Sequence, residues 1–131
     1  MNPEKSIPEL TEKADKLFSE YIRKKDADET GFVACCTCDV MFRWQDLDCG
    51  HFISRSKFAI RYDERNAHPQ CKPCNSKHND NSKPYAMFML KKYKGGTLTE
   101  LNKLAESFTS SLDKRIILND VIKKYGKRKK V

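Results

Sequence analysis

Apolar residues recur at intervals of three and four near both ends of the chain, which is the pattern of amphipathic helices. A first helix is predicted over residues 6–25, because Ser6 and Glu9 form a capping-box pattern just before the apolar positions begin. Further helices are predicted over residues 97–126, where a second capping-box pattern follows a pair of glycines that we expect to end the preceding helix. Since each segment has one apolar face, we expect all of them to pack on the middle of the chain.

The middle of the chain, residues 32–95, has a different pattern. Residues 32–44 alternate aromatic and β-branched side chains around a cysteine cluster, which predicts a short hairpin. Another short strand is predicted within residues 46–53, and a helix from Cys71 onward. The chain is therefore predicted to be a single α+β domain, with a core of strands flanked by N- and C-terminal helices. Residues 127–131 are predicted to form a basic tail.

The formal net charge of +8 is concentrated towards the C-terminus. Residues 1–90 carry 14 Lys or Arg and 14 Asp or Glu, whereas residues 91–131 carry 12 and 4. A segregated basic segment indicates a polyanionic partner, with DNA ahead of an anionic membrane surface and of a merely solubilising tail. No apolar run approaches the roughly 18 residues of a spanning helix, and the first residues do not resemble a secretory signal. We therefore expect a cytoplasmic protein that does not bind membranes.

Four cysteines form two C-x-x-C pairs, namely Cys35 with Cys38 and Cys71 with Cys74. Two residues between thiolates allow one tight turn to direct both sulfurs at a common centre, and two such turns complete the tetrahedron that zinc prefers. In a reducing compartment the pattern favours a structural zinc site over a redox pair or unrelated buried cysteines. Cys36 is a poorer alternative ligand to Cys35 because a C-x-C turn matches zinc less well, and Cys49 is expected to be a small buried residue.

Further motif residues surround the second cysteine pair. A Gly-His dipeptide ends at His51, Asn66 precedes the second pair, and Asn75 directly follows it. Together with the two C-x-x-C turns, these residues resemble the HNH, or His-Me finger, nuclease motif in its zinc-bound form. The stretches GHFISR and RYDERNAHPQCKPCN resemble, more narrowly, the NinG/Rap family of phage recombination nucleases.

This resemblance covers about residues 33–95 and implies a treble-clef-like ββα-metal fold, in which a strand pair presents the histidine and the next helix presents a metal ligand. It implies an endonuclease that cuts DNA, with branched recombination intermediates such as Holliday junctions as substrates and 5′-phosphate and 3′-hydroxyl ends as products. It also implies that Asn66 hydrogen-bonds the backbone and fixes the loop that carries the histidine. Many family members have histidine where this chain has Asn75, so the chain is an H-N-N variant with His51, Asn66 and Asn75 as its motif residues. Many superfamily relatives have aspartate directly before the histidine, where this chain has Gly50.

The same residues suit phosphodiester hydrolysis on chemical grounds. The reaction needs a base for water and an electrophile for the phosphate and the leaving oxygen. His51 suits the first task because a neutral imidazole accepts a proton near pH 7. Mg²⁺ or Mn²⁺ suits the second, with Asn75 and Asp48 as oxygen ligands, and backbone carbonyls or His78 remain alternatives to Asp48.

Four cations near the motif are candidate phosphate contacts: Arg55, Arg61, Arg65 and Lys77. A phage-encoded nuclease of this kind would work in the host cytoplasm, with other phage recombination proteins as candidate partners. The apolar helix faces allow either a homodimer with two active sites or a closed monomer. Two other functions remain open, namely a non-catalytic zinc-dependent DNA-binding module and a sequence-specific nicking endonuclease.

Overall fold

The computed structural model describes residues 5–126 and is a mixed α+β structure. Over these residues the chain forms five α-helices and four short strands, together with three single-turn 3-10 helices. In chain order the α-helices and strands are α1 (Ile7–Lys24), β1 (Phe32–Ala34), β2 (Met41–Arg43), β3 (Asp48–His51), β4 (Ala67–Gln70), α2 (Lys72–His78), α3 (Lys83–Lys92), α4 (Gly95–Ala105) and α5 (Ser111–Gly126). The α+β class predicted from the sequence is confirmed. The predicted basic tail, residues 127–131, lies outside the described residues.

The helix predicted over residues 6–25 spans Ile7–Lys24, and the predicted capping box is present at its start. The Ser6 hydroxyl accepts a hydrogen bond from the N–H of Glu9 at 3.2 Å, while the Glu9 carboxylate accepts one from the N–H of Ser6 at 2.9 Å. These two bonds satisfy backbone donors that a helix start otherwise leaves unpaired. The helix therefore begins at a position that the sequence itself specifies.

Two antiparallel strand pairs make up the β structure of the described residues. β1 pairs with β2, and this pair is the hairpin predicted within residues 32–44. β3, which lies within the predicted strand region 46–53, pairs with β4 so that Gly50 faces His68 and His51 faces Ala67. Only Cys71 separates β4 from α2. The successive elements β3, β4 and α2 therefore form a strand, strand and helix unit.

The helices from the two ends of the chain share one core. Phe18 and Ile22 of α1 pack with Leu118 and Val121 of α5, and Ala67 of β4 joins the same cluster. Burial of apolar side chains of this size stabilises the fold by roughly 1.5–3 kcal/mol each. The apolar face predicted for α1 therefore lies against both α5 and the strand pair that carries His51.

The start of α4 differs from the sequence prediction. The sequence predicts that the glycine pair, Gly95 and Gly96, ends the preceding helix and that the next helix begins after it at a capping box starting with Thr97. Instead α3 ends at Lys92 and α4 begins at Gly95, with Lys94 as an N-cap that makes no side-chain hydrogen bond. The N–H of Thr97 bonds to the carbonyl of Lys94 at 2.9 Å, so a backbone bond closes the first turn without the side-chain cap.

Among the helices described, none is long and apolar enough to cross a membrane.

Candidate metal centre and active site

The four predicted zinc ligands converge in the structure. The sulfur atoms of Cys35, Cys38, Cys71 and Cys74 all lie within 4.8 Å of one another. The first two come from the turn between β1 and β2, and the other two from the start of α2. Tetrahedral zinc at a Zn–S distance of ~2.3 Å requires sulfurs ~3.8 Å apart. The separation of 3.9 Å between the Cys38 and Cys71 sulfurs fits this geometry, so the cluster could hold a zinc ion.

The thiols of this cluster have unequal acidities. Burial opposes ionisation of Cys35, but hydrogen bonds from the Thr37 hydroxyl and from the N–H of Cys71 lower its pKa to about 6. Burial and the nearby Cys35 sulfur raise the pKa of Cys38, and they raise that of Cys71 to about 12. Four thiolates at this distance therefore need a bound cation to offset their mutual repulsion. Cys36 and Cys49 are not members of the cluster.

His51 lies at the end of β3, and its ring orientation is set by the backbone. Its Nε2 is 2.8 Å from the carbonyl oxygen of Arg61. A carbonyl oxygen can only accept, so Nε2 carries the proton and the neutral ring has its lone pair on Nδ1. Burial lowers the pKa of His51, with help from the charges of Arg55 and Arg61, although the bond to the carbonyl acts in the opposite direction. The ring can therefore accept a proton at Nδ1 near pH 7.

Asn66 is fully buried and bonds to the two residues that follow His51. Its side-chain oxygen accepts from the N–H of Ile53 at 2.9 Å, and its side-chain nitrogen donates to the carbonyl of Ile53 at 3.0 Å. Its own carbonyl accepts from the N–H of Phe52 at 2.9 Å. These three hydrogen bonds tie the loop that follows His51 to Asn66.

Asn75 lies in α2 and contacts Asp48 of β3. The Asn75 side-chain nitrogen donates to Asp48 Oδ2 at 3.0 Å, and Lys72 Nζ lies 2.6 Å from Asp48 Oδ1. Burial opposes ionisation of Asp48, but these two donors hold its pKa below the usual value. Asp48, His51 and Asn75 line one cleft of about 700 Å³, so the structure brings these three predicted residues together.

The side chain of Gln70 leaves no room for an aspartate at position 50, directly before His51. A Cβ atom at Gly50 would lie 2.1 Å from Oε1 and 2.8 Å from Cβ of Gln70, which is almost completely buried on β4. The strand register places Gln70 opposite Asp48, and its side chain covers the backbone of Gly50. No larger side chain fits at this position without moving Gln70.

A Gly50→Ala substitution is therefore expected to destabilise the protein by about 1–3 kcal/mol, because the added methyl group overpacks a buried site. Gly96→Ala is the matched control, since nothing lies within 4 Å of a Cβ at that helical position. This control is expected to be neutral or to stabilise by up to about 1 kcal/mol. Urea unfolding of both variants measures the difference, and equal free energies of unfolding would contradict the explanation.

Sequence reasoning missed Asp15, a residue of α1 that contacts the His51 loop. Its carboxylate accepts hydrogen bonds from Arg61 at 3.0 and 2.6 Å and from the hydroxyl of Tyr62 at 2.7 Å. Because the carbonyl of Arg61 holds His51, Asp15 helps to fix the position of that carbonyl. No local sequence pattern distinguishes Asp15 from the other charged residues of α1.

The four predicted phosphate contacts have different surroundings. Arg65 is paired with Asp63 at 2.8 Å and with Glu100 at 2.7 Å. Arg61 is half-buried in its ion pair with Asp15, and it also donates to the carbonyl of Arg55. The Arg61 side chain is therefore engaged within the protein, and the phosphate contact remains a prediction. The Arg55 side chain is 58% exposed at the cleft, 3.8 Å from Asp15. Lys77 is exposed on an adjoining groove beside Cys38 and Cys74.

The other two histidines have separate environments. His68 is buried, with Nδ1 2.9 Å from the Tyr85 hydroxyl and Nε2 2.8 Å from the Tyr93 hydroxyl, and burial lowers its pKa to about 3. It is therefore neutral and structural. His78 lines the same cleft as His51, but its Nε2 donates to the carbonyl of Phe52 at 2.8 Å, and its Nδ1 is buried.

Comparison with known proteins identifies the family of this chain. Residues 3–130 match the model of the family described as NinG, the bacteriophage lambda NinG protein. The chain belongs to the NinG family. The NinG resemblance predicted from the motif residues is therefore confirmed.

Two ninG proteins illustrate the extent of this similarity. The NinG-family chain is 30% identical to protein ninG of Salmonella phage P22 over 80 residues, which are 60% of this chain and 37% of that protein. It is 31% identical to protein ninG of Escherichia phage 933W over 78 residues, which are 59% of this chain and 36% of that protein. The chain thus matches little more than a third of the length of these relatives. No solved structure matches it significantly.

Proposed function

We propose that this NinG-family chain is a metal-dependent DNA endonuclease of the HNH type that cuts branched recombination intermediates such as Holliday junctions. The observation that carries the proposal is the shared cleft of His51 and Asn75, which are far apart in the sequence. The order of β3, β4 and α2 also supports it, because a ββα-metal fold presents its histidine and its metal ligand in this order. The four-cysteine cluster, with zinc bound, would tie the β1–β2 turn to the start of α2.

In the proposed reaction His51 is the general base. Nδ1 accepts a proton from water, and the attacking oxygen then forms a bond to phosphorus while the bond to the 3′ oxygen breaks. The carbonyl of Arg61 stabilises the imidazolium that results, because the Nε2–H bond to that oxygen strengthens when the ring is charged. Asn66 keeps the loop in place, and Arg55 is an exposed cation that lines the cleft and is available for a phosphate contact.

The side-chain oxygen of Asn75, in the cleft that Asp48 and His51 also line, suits a hard divalent cation such as Mg²⁺ or Mn²⁺. When bound, the cation would supply positive charge for the phosphate and the leaving oxygen. Asn75 would hold it through the side-chain oxygen, since its side-chain nitrogen donates to Asp48.

The charge distribution supports DNA as the partner. The whole excess of positive charge lies in residues 91–131, and Lys123 and Lys124 are exposed near the end of α5. Such residues bind phosphates without reading sequence, and the affinity falls as salt rises because counterions are released. The preference for branched DNA, the host cytoplasm as the place of action and other phage recombination proteins as partners are proposed on the family resemblance. A second copy of the chain would supply a second active site for a symmetric cut.

A cleavage assay tests the proposal. The zinc-loaded chain is incubated with a four-way junction and with a linear duplex of the same sequence, in Mg²⁺, in Mn²⁺ and in EDTA. We expect metal-dependent cleavage, faster on the junction, with 5′-phosphate and 3′-hydroxyl ends. Junction binding without cleavage would instead identify a zinc-dependent DNA-binding module. Cleavage of a single sequence, with unrelated junctions left intact, would identify a sequence-specific nicking enzyme.

A further inference from the structure

We propose that Asp48 is a positioning residue that orients the side-chain amide of Asn75 towards the cation, and that it is not itself a cation ligand. The inference deepens the proposed function and rests on it. It reassigns the residue that the sequence offered as the carboxylate ligand.

The hydrogen bond between the two residues fixes the orientation of the Asn75 amide. An ionised carboxylate can only accept hydrogen bonds, so the atom of Asn75 that lies 3.0 Å from Asp48 Oδ2 is the donor nitrogen. The side-chain oxygen of Asn75 then lies at the other end of the planar amide, away from Asp48. Without Asp48 the amide could rotate by half a turn and present its N–H groups to the cation, which would repel it. The carboxylate thus selects the orientation that can bind a metal.

Both oxygens of Asp48 already have donors. Oδ1 lies 2.6 Å from Lys72 Nζ, and Oδ2 accepts from Asn75. The ammonium group of Lys72 offsets the negative charge that would otherwise attract a divalent cation to the carboxylate. A carboxylate with an ammonium partner on one oxygen and an amide donor on the other is arranged as an acceptor in a hydrogen-bond network.

The same network joins the two elements that carry the proposed chemistry. Lys72 and Asn75 are three residues apart on α2, so both can reach Asp48 from one face of the helix. Asp48 begins β3, and His51 ends it. The contact between Asp48 and Asn75 therefore helps to set the distance between the His51 ring and the side-chain oxygen of Asn75. Gly50 lies on the same face of β3 as Asp48, but the side chain of Gln70 leaves no room for a side chain there. Position 50 therefore cannot supply a carboxylate in place of Asp48.

Direct Mn²⁺ binding to the zinc-loaded chain, measured by electron paramagnetic resonance without DNA, tests the inference. Asp48→Asn combined with Lys72→Gln keeps an oxygen that can accept from Asn75 and removes both members of the ion pair, so we expect Mn²⁺ affinity within about tenfold of wild type. Asp48→Ala removes the acceptor, and we expect a loss of about 10- to 100-fold, as for other groups that orient a ligand. Asn75→Ala should abolish binding. Asp46→Asn, the same charge change at an exposed position two residues away, should have no effect.

The outcomes separate the two proposals. A double variant Asp48→Asn, Lys72→Gln as defective as Asn75→Ala would show that the carboxylate is itself a ligand, and it would overturn the inference while leaving the nuclease proposal intact. An Asp48→Ala variant with wild-type affinity would overturn it as well. Wild-type protein that binds no Mn²⁺ would overturn both the proposed cation site and the inference. Zinc content and circular dichroism of each variant verify that the fold is retained.

Discussion

Cys71→Ser is expected to lose its zinc and to unfold the region around β3, β4 and α2. Cys71 is buried beside Cys35 and is the N-cap residue of α2, so its sulfur lies at the junction of the strand pair and the helix. Binding of structural zinc contributes about 10–16 kcal/mol in isolated zinc-finger peptides at pH 7. Since whole domains are stable by only about 5–15 kcal/mol, loss of one of four ligands is enough to remove the native state of this region.

Zinc content by elemental analysis and thermal unfolding by circular dichroism measure this effect. Wild-type protein purified without chelator should contain about one zinc per chain. Cys36→Ser is the matched control, because Cys36 is adjacent in sequence to a proposed ligand but lies outside the cluster, and it should keep its zinc. A wild-type zinc content well below one, or a Cys71→Ser variant with the wild-type melting temperature, would contradict a structural zinc site.

His51→Ala is expected to slow DNA cleavage by about 10²- to 10⁴-fold, because general-base catalysis contributes this much to hydrolytic reactions. The affinity for DNA should change little, since the basic residues that we propose to bind phosphates are unaltered. Single-turnover cleavage of a junction in Mg²⁺ gives the rate, and an electrophoretic mobility shift gives the affinity. Equal rates for the variant and the wild type would remove His51 from the mechanism.

The pH dependence of the wild-type rate tests the same role. The base must be neutral, and burial holds the pKa of His51 below its usual value of about 6.5. The single-turnover rate should therefore be insensitive to pH above about 6.5 and fall about tenfold per pH unit below the pKa, as His51 becomes protonated. A rate that still rises with a midpoint above pH 7 would indicate a different base, provided that the zinc content is constant over the range.

Local sequence signals predicted the features that depend on short stretches of chain. The capping box at Ser6 is made of residues close in sequence, and it formed as expected. Each C-x-x-C turn is equally local, so the sulfur cluster could be anticipated from spacing and zinc chemistry. The shared cleft of His51 and Asn75 was anticipated only through the family resemblance, because nothing local places two distant residues together.

Features that depend on packing between distant segments could not be predicted in this way. The ion pair of Asp15 and Arg61 spans 46 positions in the sequence and exists only because α1 lies against the His51 loop. The close packing of Gln70 over Gly50 depends on the register of β3 and β4. The amino-acid pattern of two four-residue strands does not determine this register. The hydrogen bond from Asn75 to Asp48 likewise required the position of α2 relative to β3.

The oxygen that holds the His51 ring belongs to the main chain of residue 61. Every amino acid carries such an oxygen, so no replacement at position 61 deletes the acceptor itself, although loss of the Arg61 side chain would remove the ion pair with Asp15 that helps to position it. Insertions or deletions between residues 52 and 60 would be far more harmful, because they would shift the loop and move the oxygen away from the imidazole. The hydrogen bond that sets the tautomer of the proposed base thus keeps its acceptor under substitution, but it is vulnerable to changes in loop length.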